Sequence, residues 1–539
     1  MSDSQACNVL MVCPRFEAET FWSFKRTSKA FGAKYPAPPL GLITVAALLP
    51  GSWTIRLVNR NTEELTGDDL NWADLVLTGG MLPQMGDTLD VVDLCRARGK
   101  SVAVGGPSVT SSPDIYQTAN FRILGEAEGV IDQFVEAWEA GARDGVFEAE
   151  KFQVDVTKTP IPRFDLLKFD DYLHIGVQFS RGCPFTCEFC DIIELYGRMP
   201  RAKTNAQMLA ELDALYRLGY RGLVDFVDDN LIGNKKAVKA FLPELAKWLE
   251  ARDYPFEFTT EASINLADDR ELLMLMNRAN FVGVFVGIES PDTATLIAMR
   301  KKQNTRRSIA QSIHRIYAAG LFVHAGFIIG FDSETQSVAD AMVELIEEAA
   351  IPVCMVGLLY ALPNTQLTRR LEKEGRLHPH LRREDVKSAD QCTMGLNFAT
   401  LRPRQEVLAD YARILERIYD PVAFAGRLQR LAKLLDNCGR KRRARAQRSR
   451  RDSGNIEMLH RVISNLPEPR ELFGRTLSQC VASNRGSTRR ILLLMALYQD
   501  VGPFSRDVIA RIEDMIAALD PVVIEPRARV EQANPILAM

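Results

Sequence analysis

Three cysteines, Cys183, Cys187 and Cys190, fall within the stretch RGCPFTCEFC of a chain with ten cysteines in 539 residues. Thiolates are soft ligands, so three at this spacing point to zinc, an iron-sulfur cluster or a redox pair. Structural zinc takes four protein ligands, and the nearest histidine, His174, lies before the strand that precedes Cys183. Three cysteines alone suit a [4Fe-4S] cluster with one iron left without a protein ligand, and that open iron is a chemical asset. Acids close several β-rich runs nearby: Asp228 and Asp229 in FVDDN, Glu261 in TTEASI and Glu289 in GIES. A carboxylate there either accepts N–H bonds from a ligand or caps helix starts and loop amides. The remaining cysteines, at 7, 13, 95, 354, 392, 438 and 480, sit mostly in apolar surroundings and read as reduced core thiols.

Positioning such groups requires a scaffold, and the chain reads as α/β followed by helix. Residues 1–150 alternate β-rich runs at 8–14, 54–60, 74–80, 101–107 and 121–126 with helical stretches at 40–49, 88–99 and 129–141, which predicts a doubly wound, Rossmann-like parallel sheet. Ligands of such sheets bind at the carboxyl ends of the strands, where Gly79, Gly80, Gly105, Gly106 and Gly125 stand. These glycines either let backbone approach a large flat ligand or make tight turns. A linker at 151–174 leads to six further strand signals between 175 and 364, separated by helices, which predicts a partial (β/α)6 barrel with function at the strand ends. Thr204 with Gln207 forms a capping box before Met208, Leu212, Leu215 and Tyr216, and the same pattern is read at Thr305. His324, on the fifth strand, either faces the cavity or is a satisfied barrel histidine, and the second is expected. Residues 365–539 read as mostly helical, and 489–498, RRILLLMALY, as a core helix.

Cys183-x3-Cys187-x2-Cys190, with the aromatic Phe189 before the last cysteine, resembles the signature of radical S-adenosylmethionine (SAM) enzymes. The resemblance implies a [4Fe-4S] cluster on those three thiolates, whose open iron chelates SAM and whose electron cleaves it to methionine and a 5'-deoxyadenosyl radical. Residue by residue, it implies SAM contacts at Phe189, at Asp228 and Asp229 toward the ammonium group, at Glu261 and Glu289 toward the ribose, and at Gly330, which closes GFIIG beside the adenine. The first segment is similar to the cobalamin-binding domain that precedes many radical SAM cores. That implies cobalamin contacts at Thr78, Gly79, Gly80, Gly105, Gly106, Gly125 and Glu126. No histidine precedes His174, so the cobalt would have no histidine of this segment beneath it, as in radical SAM methylases.

Through DFVDDNLIGNKK, FVGIESPDT and LPNTQLTRRLE the chain is similar to the branch of these methylases that acts on hopanoids. Membership would imply methylation of an unactivated ring carbon, C-2 of a pentacyclic triterpenoid, with a flavodoxin or ferredoxin as electron donor. Such a carbon has no acidic proton for a base to remove, so radical abstraction is the available route. The alternatives are a methylase or cyclase acting on a bacteriochlorophyll side chain, and a non-enzymatic protein that senses cobalamin or lipid. A formal net charge of -2 gives no general affinity for nucleic acid. The start lacks a secretory signal and the longest apolar run, 349–363, is short of a bilayer span, so a cytoplasmic protein is expected. The basic run 439–451 is read as a solvated segment, with contact to anionic lipid at a membrane face as the alternative.

Overall fold

The computed structural model describes residues 6–16, 20–378, 395–435, 464 and 468–519. Cys392, Cys438 and the basic run 439–451 lie outside them.

The first segment folds as a six-stranded parallel sheet of β1 (Asn8–Cys13), β2 (Thr54–Asn59), β3 (Leu75–Gly79), β4 (Ser101–Gly105), β5 (Phe121–Leu124) and β6 (Gly145–Glu148), in the order β2-β1-β3-β4-β5-β6. Alternation along β1 explains the helices on both faces. Leu10 and Val12 join one core with Leu70, Leu89 and Val92, while Val9 and Met11 join another with Ala46, Ile131 and Phe134. The strand order reverses between β1 and β3, and such a switch point opens a crevice at the carboxyl edge. The sixth strand, GVFE, was not among the expected ones.

The second segment begins with β7 (His174–Val177). The chain then turns into a small antiparallel ladder of β8 (Ser180–Arg181) and β9 (Arg201–Ala202), which pinches the cysteine loop at its base. Five parallel strands follow: β10 (Gly222–Phe226), β11 (Phe256–Thr260), β12 (Gly283–Glu289), β13 (Phe322–Ile329) and β14 (Val353–Leu358). They form the ladders β11-β10-β7 and β12-β13-β14, joined by bridges Phe258 to Phe281 and Glu261 to Phe285, so six parallel strands make an open barrel wall. Thr204 and Gln207 cap helix Asn205–Arg217 reciprocally, with Thr204 Oγ1 accepting from Gln207 N at 3.2 Å and Gln207 Oε1 from Thr204 N at 2.9 Å. The cap read at Thr305 is corrected: Ser308 caps helix Ile309–Ala318, its hydroxyl accepting from Gln311 N at 3.2 Å.

Helices Arg404–Ile418, Pro421–Leu434, Arg470–Ser483 and Thr488–Ala517 follow. Their buried side chains, among them Tyr411, Phe424, Phe473 and Val508, are continuous with the barrel core. Leu494, Met495 and Leu497 put residues 489–498 into that core. The short helix Lys25–Ala30 docks on the last long helix, where Thr27 Oγ1 donates to Ala496 O at 2.9 Å and Asp500 accepts from Thr27 N at 2.7 Å. No helix among the described residues is long and apolar enough to cross a membrane.

Candidate functional site

The cysteine loop starts from one residue that only glycine satisfies. Gly182 has φ +94, and a Cβ there would lie 2.9 Å from Gly197 O and 3.1 Å from both Met199 O and Tyr196 O. The loop then closes on itself, with Cys183 N donating to Gly197 O at 3.2 Å. From outside it is clamped by Glu188, whose N–H donates to Met299 O at 3.0 Å and whose carboxylate accepts from Arg370 Nε at 2.6 Å.

Cys187 is buried, and Cys183 and Cys190 are half-buried. Burial pushes all three thiols up from the ordinary cysteine value, Cys190 most, so a nearby positive charge is needed to hold them as thiolates. Donors already face the sulfurs. The Phe185 and Ile192 backbone groups bond Cys183 and Cys190, Asn230 Nδ2 lies 3.9 Å from Cys183 Sγ, and Gln303 Nε2 lies 4.0 Å from Cys187 Sγ. Among the described residues no three His, Cys, Asp or Glu side chains converge on one metal ion. Three thiols that share one loop and face N–H donors are arranged as sulfur ligands with hydrogen-bond support.

The acids diverge from one another. Asp228 accepts from Phe179 N at 2.9 Å, Ser180 N at 2.5 Å and Ser180 Oγ at 2.5 Å, although burial raises its carboxyl to about 7. It braces the root of the cysteine loop. Asp229 accepts from Gly182 N at 3.1 Å, and burial raises it to about 6. Glu261 keeps one buried oxygen, Oε2, without a hydrogen-bond partner, and burial holds its carboxyl well above the usual range.

Glu289, at φ +67 on a bulge of β12, is ion-paired with the buried Lys301. Lys301 also stands 6.0 Å from the Phe189 ring centroid and pulls the Cys187 thiol down. Gly330, with φ +99 in the turn after β13, donates its N–H to Glu334 at 2.8 Å, and a Cβ there would lie 2.5 Å from Leu396 Cδ2.

The glycines of the first segment do converge. Thr78, Gly79, Gly80, Gly105, Gly106, Gly125 and Glu126 all line one cavity of about 2080 Å³. The Thr78 hydroxyl bonds Val12 O at 2.8 Å, and Gly106 has φ +93, so the strand ends present backbone rather than side chains. A flat backbone ledge of this kind accepts a large planar ligand without clash. Glu126 departs from the expectation: it pairs with Arg181 at 3.0 Å and Arg201 at 2.9 Å, and Glu128 holds Arg181 at 2.6 Å. These pairs tie the first segment to the base of the cysteine loop.

The cavity is larger than a site for one small molecule, typically about 300–1,000 Å³. It extends from the glycine ledge past Arg181 and Tyr196 into the barrel lumen, where Gln178, Asp225, Thr259, Glu261, Phe285 and His324 line it. His324, expected to be satisfied, instead lines the cavity with its Nε2 buried and without a partner. Arg181, Lys301, Gln303 and Arg370 were missed as site residues because no spacing pattern connects them to the cysteines.

Residues 177–346 match the radical SAM superfamily, and residues 365–514 match a domain of unknown function (DUF4070). An uncharacterized methyltransferase of Synechocystis sp. is 48% identical over 420 residues, 78% of this chain and 77% of the relative. The hopanoid C-2 methylase of Rhodopseudomonas palustris is 38% identical over 419 residues, 75% of this chain and 77% of that protein. Among solved structures, the cobalamin-dependent radical enzyme OxsB, with aqua-cobalamin and S-adenosylmethionine bound, aligns with a TM-score of 0.57 at 16% identity over 95% of this chain and 81% of its own. The methyltransferase TsrM of Kitasatospora setae aligns with a TM-score of 0.55 at 16% identity over 70% of this chain and 80% of its own.

Proposed function

Because this chain belongs to the methyltransferases of the radical SAM superfamily, we propose that it is a cobalamin-dependent C-methyltransferase that acts on C-2 of a hopanoid. When bound, a [4Fe-4S] cluster with SAM supplies a hydrogen-abstracting radical, and cobalamin supplies a transferable methyl group. The observation that carries the proposal is the single cavity that links the glycine ledge, the approach to the cysteine loop and the barrel lumen.

Cys183, Cys187 and Cys190 would hold the cluster, and Gly182, Asp228 and Glu188 fix the loop that presents them. Asp229, which accepts from Gly182 N, and Glu261, which lines the cavity, would contact SAM. Thr78, Gly79, Gly80, Gly105, Gly106 and Gly125 would carry the cobalamin, with Glu126 and Glu128 locking that ledge onto Arg181. Part of the lining is apolar, with Phe285, Phe322 and Leu497 among its residues, which suits an apolar methyl acceptor. The hopanoid as substrate is favoured by the likeness to the Rhodopseudomonas methylase and by this apolar lining.

Expression in a hopanoid-making host that lacks ring methylation, followed by lipid mass spectrometry, tests the substrate. A 2-methyl product is expected. Its absence, with iron and cobalt both present in the protein, removes the hopanoid and leaves the reaction class. Deoxyadenosine formed without S-adenosylhomocysteine would instead favour a radical cyclase or isomerase.

A further inference from the structure

The inward faces of the barrel wall stay open from one end to the other. On β10, Leu223 and Asp225 are partly exposed while Val224 and Phe226 are buried, and on β11 Glu257 and Thr259 are partly exposed while Phe258 is buried. A closed eight-stranded barrel fills its interior with layered side chains, so a wall with accessible inward residues has room for a guest. Strand register sorts this lumen into levels. Glu261 and Phe285 stand at the carboxyl end, on the side of the cysteine loop, Asp225 and Thr259 come next, and Leu223 and Glu257 form the far rim. The four steps from Glu261 to Glu257 span about 13 Å at roughly 3.3 Å per residue.

At that rim the lumen is bounded by the start of helix Thr488–Ala517. Arg489, Leu493 and Leu497 recur every four residues, which puts them on one helix face, and all three line the cavity with Arg490. The leucines continue the apolar lining and the arginines end it. Arg489 Nη1 pairs with Glu257 Oε2 at 3.2 Å, and these side chains are 54% and 29% exposed, so both keep surface open to a ligand. Arg221 and Asp170, both exposed, line the same cavity, and their neighbours Tyr220 and Phe169 meet at 5.3 Å. A guanidinium has five donors and a carboxylate about four acceptor sites, so one ion pair leaves most of each unused. Deeper in, the polar groups are matched, since Asp225 Oδ1 accepts from Thr259 Oγ1 at 2.5 Å. We propose that this rim is a subsite for the uncharged, hydroxylated end of an elongate apolar substrate, whose reacting carbon lies at the Glu261 level. Mixed charge sets the class: an anionic end drawn by Arg489 and Arg490 would meet Glu257 and Asp170, whereas a hydroxyl donates to the acids and accepts from the arginines. Because the helix begins within residues 365–514, the subsite gives that region a part in substrate choice. This inference rests on the reading that the lumen receives the methyl acceptor.

The test uses the full chain loaded with iron and cobalamin, and three probes of one tetracyclic body: 5β-cholane, 5β-cholan-24-ol and 5β-cholanic acid, delivered from cyclodextrin. Wild type should bind the alcohol about five- to tenfold more tightly than the hydrocarbon, after correction for partition, and more tightly than the acid. Glu257→Leu combined with Arg489→Leu should lose that preference and still bind the hydrocarbon, while Glu257→Gln combined with Arg489→Gln should keep most of it. Leu223→Trp, which fills the lumen at the rim, should weaken all three probes by about tenfold, with the effect of SAM on the cluster's electron paramagnetic resonance signal unchanged. Tighter binding of the acid than of the alcohol, a preference that survives the paired leucines, or probe binding indifferent to Leu223→Trp overturns the inference. Failure of the hopanoid assay with these results intact would remove that substrate but not the subsite, so the two failures are distinguishable.

Discussion

Gly182→Ala isolates the backbone demand on which the cysteine loop depends. Two contributions add at this position. A left-handed backbone costs a residue with a side chain about 1 kcal/mol, and at φ +94 alanine would carry it. The new Cβ would also lie 2.9–3.1 Å from three backbone carbonyl oxygens, those of Gly197, Met199 and Tyr196, none of which can rotate aside. Such overpacking against fixed atoms costs about 1–3 kcal/mol, for a total of about 2–4 kcal/mol. Gly219 is the matched control, with φ +90 and nothing within 4 Å of an added Cβ, so Gly219→Ala should carry the backbone part alone, about 1 kcal/mol. The assay is iron and acid-labile sulfide per chain after anaerobic reconstitution, together with urea denaturation. Gly182→Ala should lose most of its iron and Gly219→Ala should keep it. Equal iron and equal stability in the two variants would refute the reasoning, because the carbonyl contacts would then be immaterial.

Asp228→Asn should place an amide against the Phe179 and Ser180 N–H groups, leaving at least one donor unpaired for a loss of about 1–3 kcal/mol, read as weaker iron retention with far-UV circular dichroism unchanged. Lys301→Met should destabilise the chain by about 3–5 kcal/mol by stranding the buried Glu289 carboxylate, and Lys301→Met combined with Glu289→Gln should recover most of that in denaturant titrations. For pH, the His324 imidazole is lowered from 6.5 to about 4 by burial, so between those values the unfolded chain binds the proton that the folded chain refuses. Stability should therefore fall as pH drops from 6.5 toward 4. His324→Gln should lose about 2–3 kcal/mol less than wild type between pH 7 and pH 4.5, and parallel pH profiles would exclude this assignment.

The alternation of apolar residues in β1, and the turn residues that end most strands, made the two α/β segments legible. The edge strand Gly145–Glu148 was not, because alternate side chains face solvent and four residues carry little pattern. Ser308 and Gln311 form an S-x-x-Q cap that is legible in the sequence, three residues beyond Thr305. The cysteines and the glycine ledge were readable because their chemistry is local. The protein partners of Asp228, Glu289 and Gly330 were not, since each is remote in sequence or on another loop: the Phe179 and Ser180 amides, Lys301, and Leu396. The same holds for His324, whose satisfaction depends on what fills a lumen built by six strands and the helices that follow them.

Electron paramagnetic resonance of the oxygen-free, chemically reduced protein, recorded with and without SAM, addresses the cysteine trio directly. A [4Fe-4S] signal whose g-values move on adding SAM, and which vanishes in Cys187→Ala, is the expected result. Stoichiometric zinc with no iron, or an iron signal indifferent to SAM, would contradict an open-cornered cluster held by Cys183, Cys187 and Cys190.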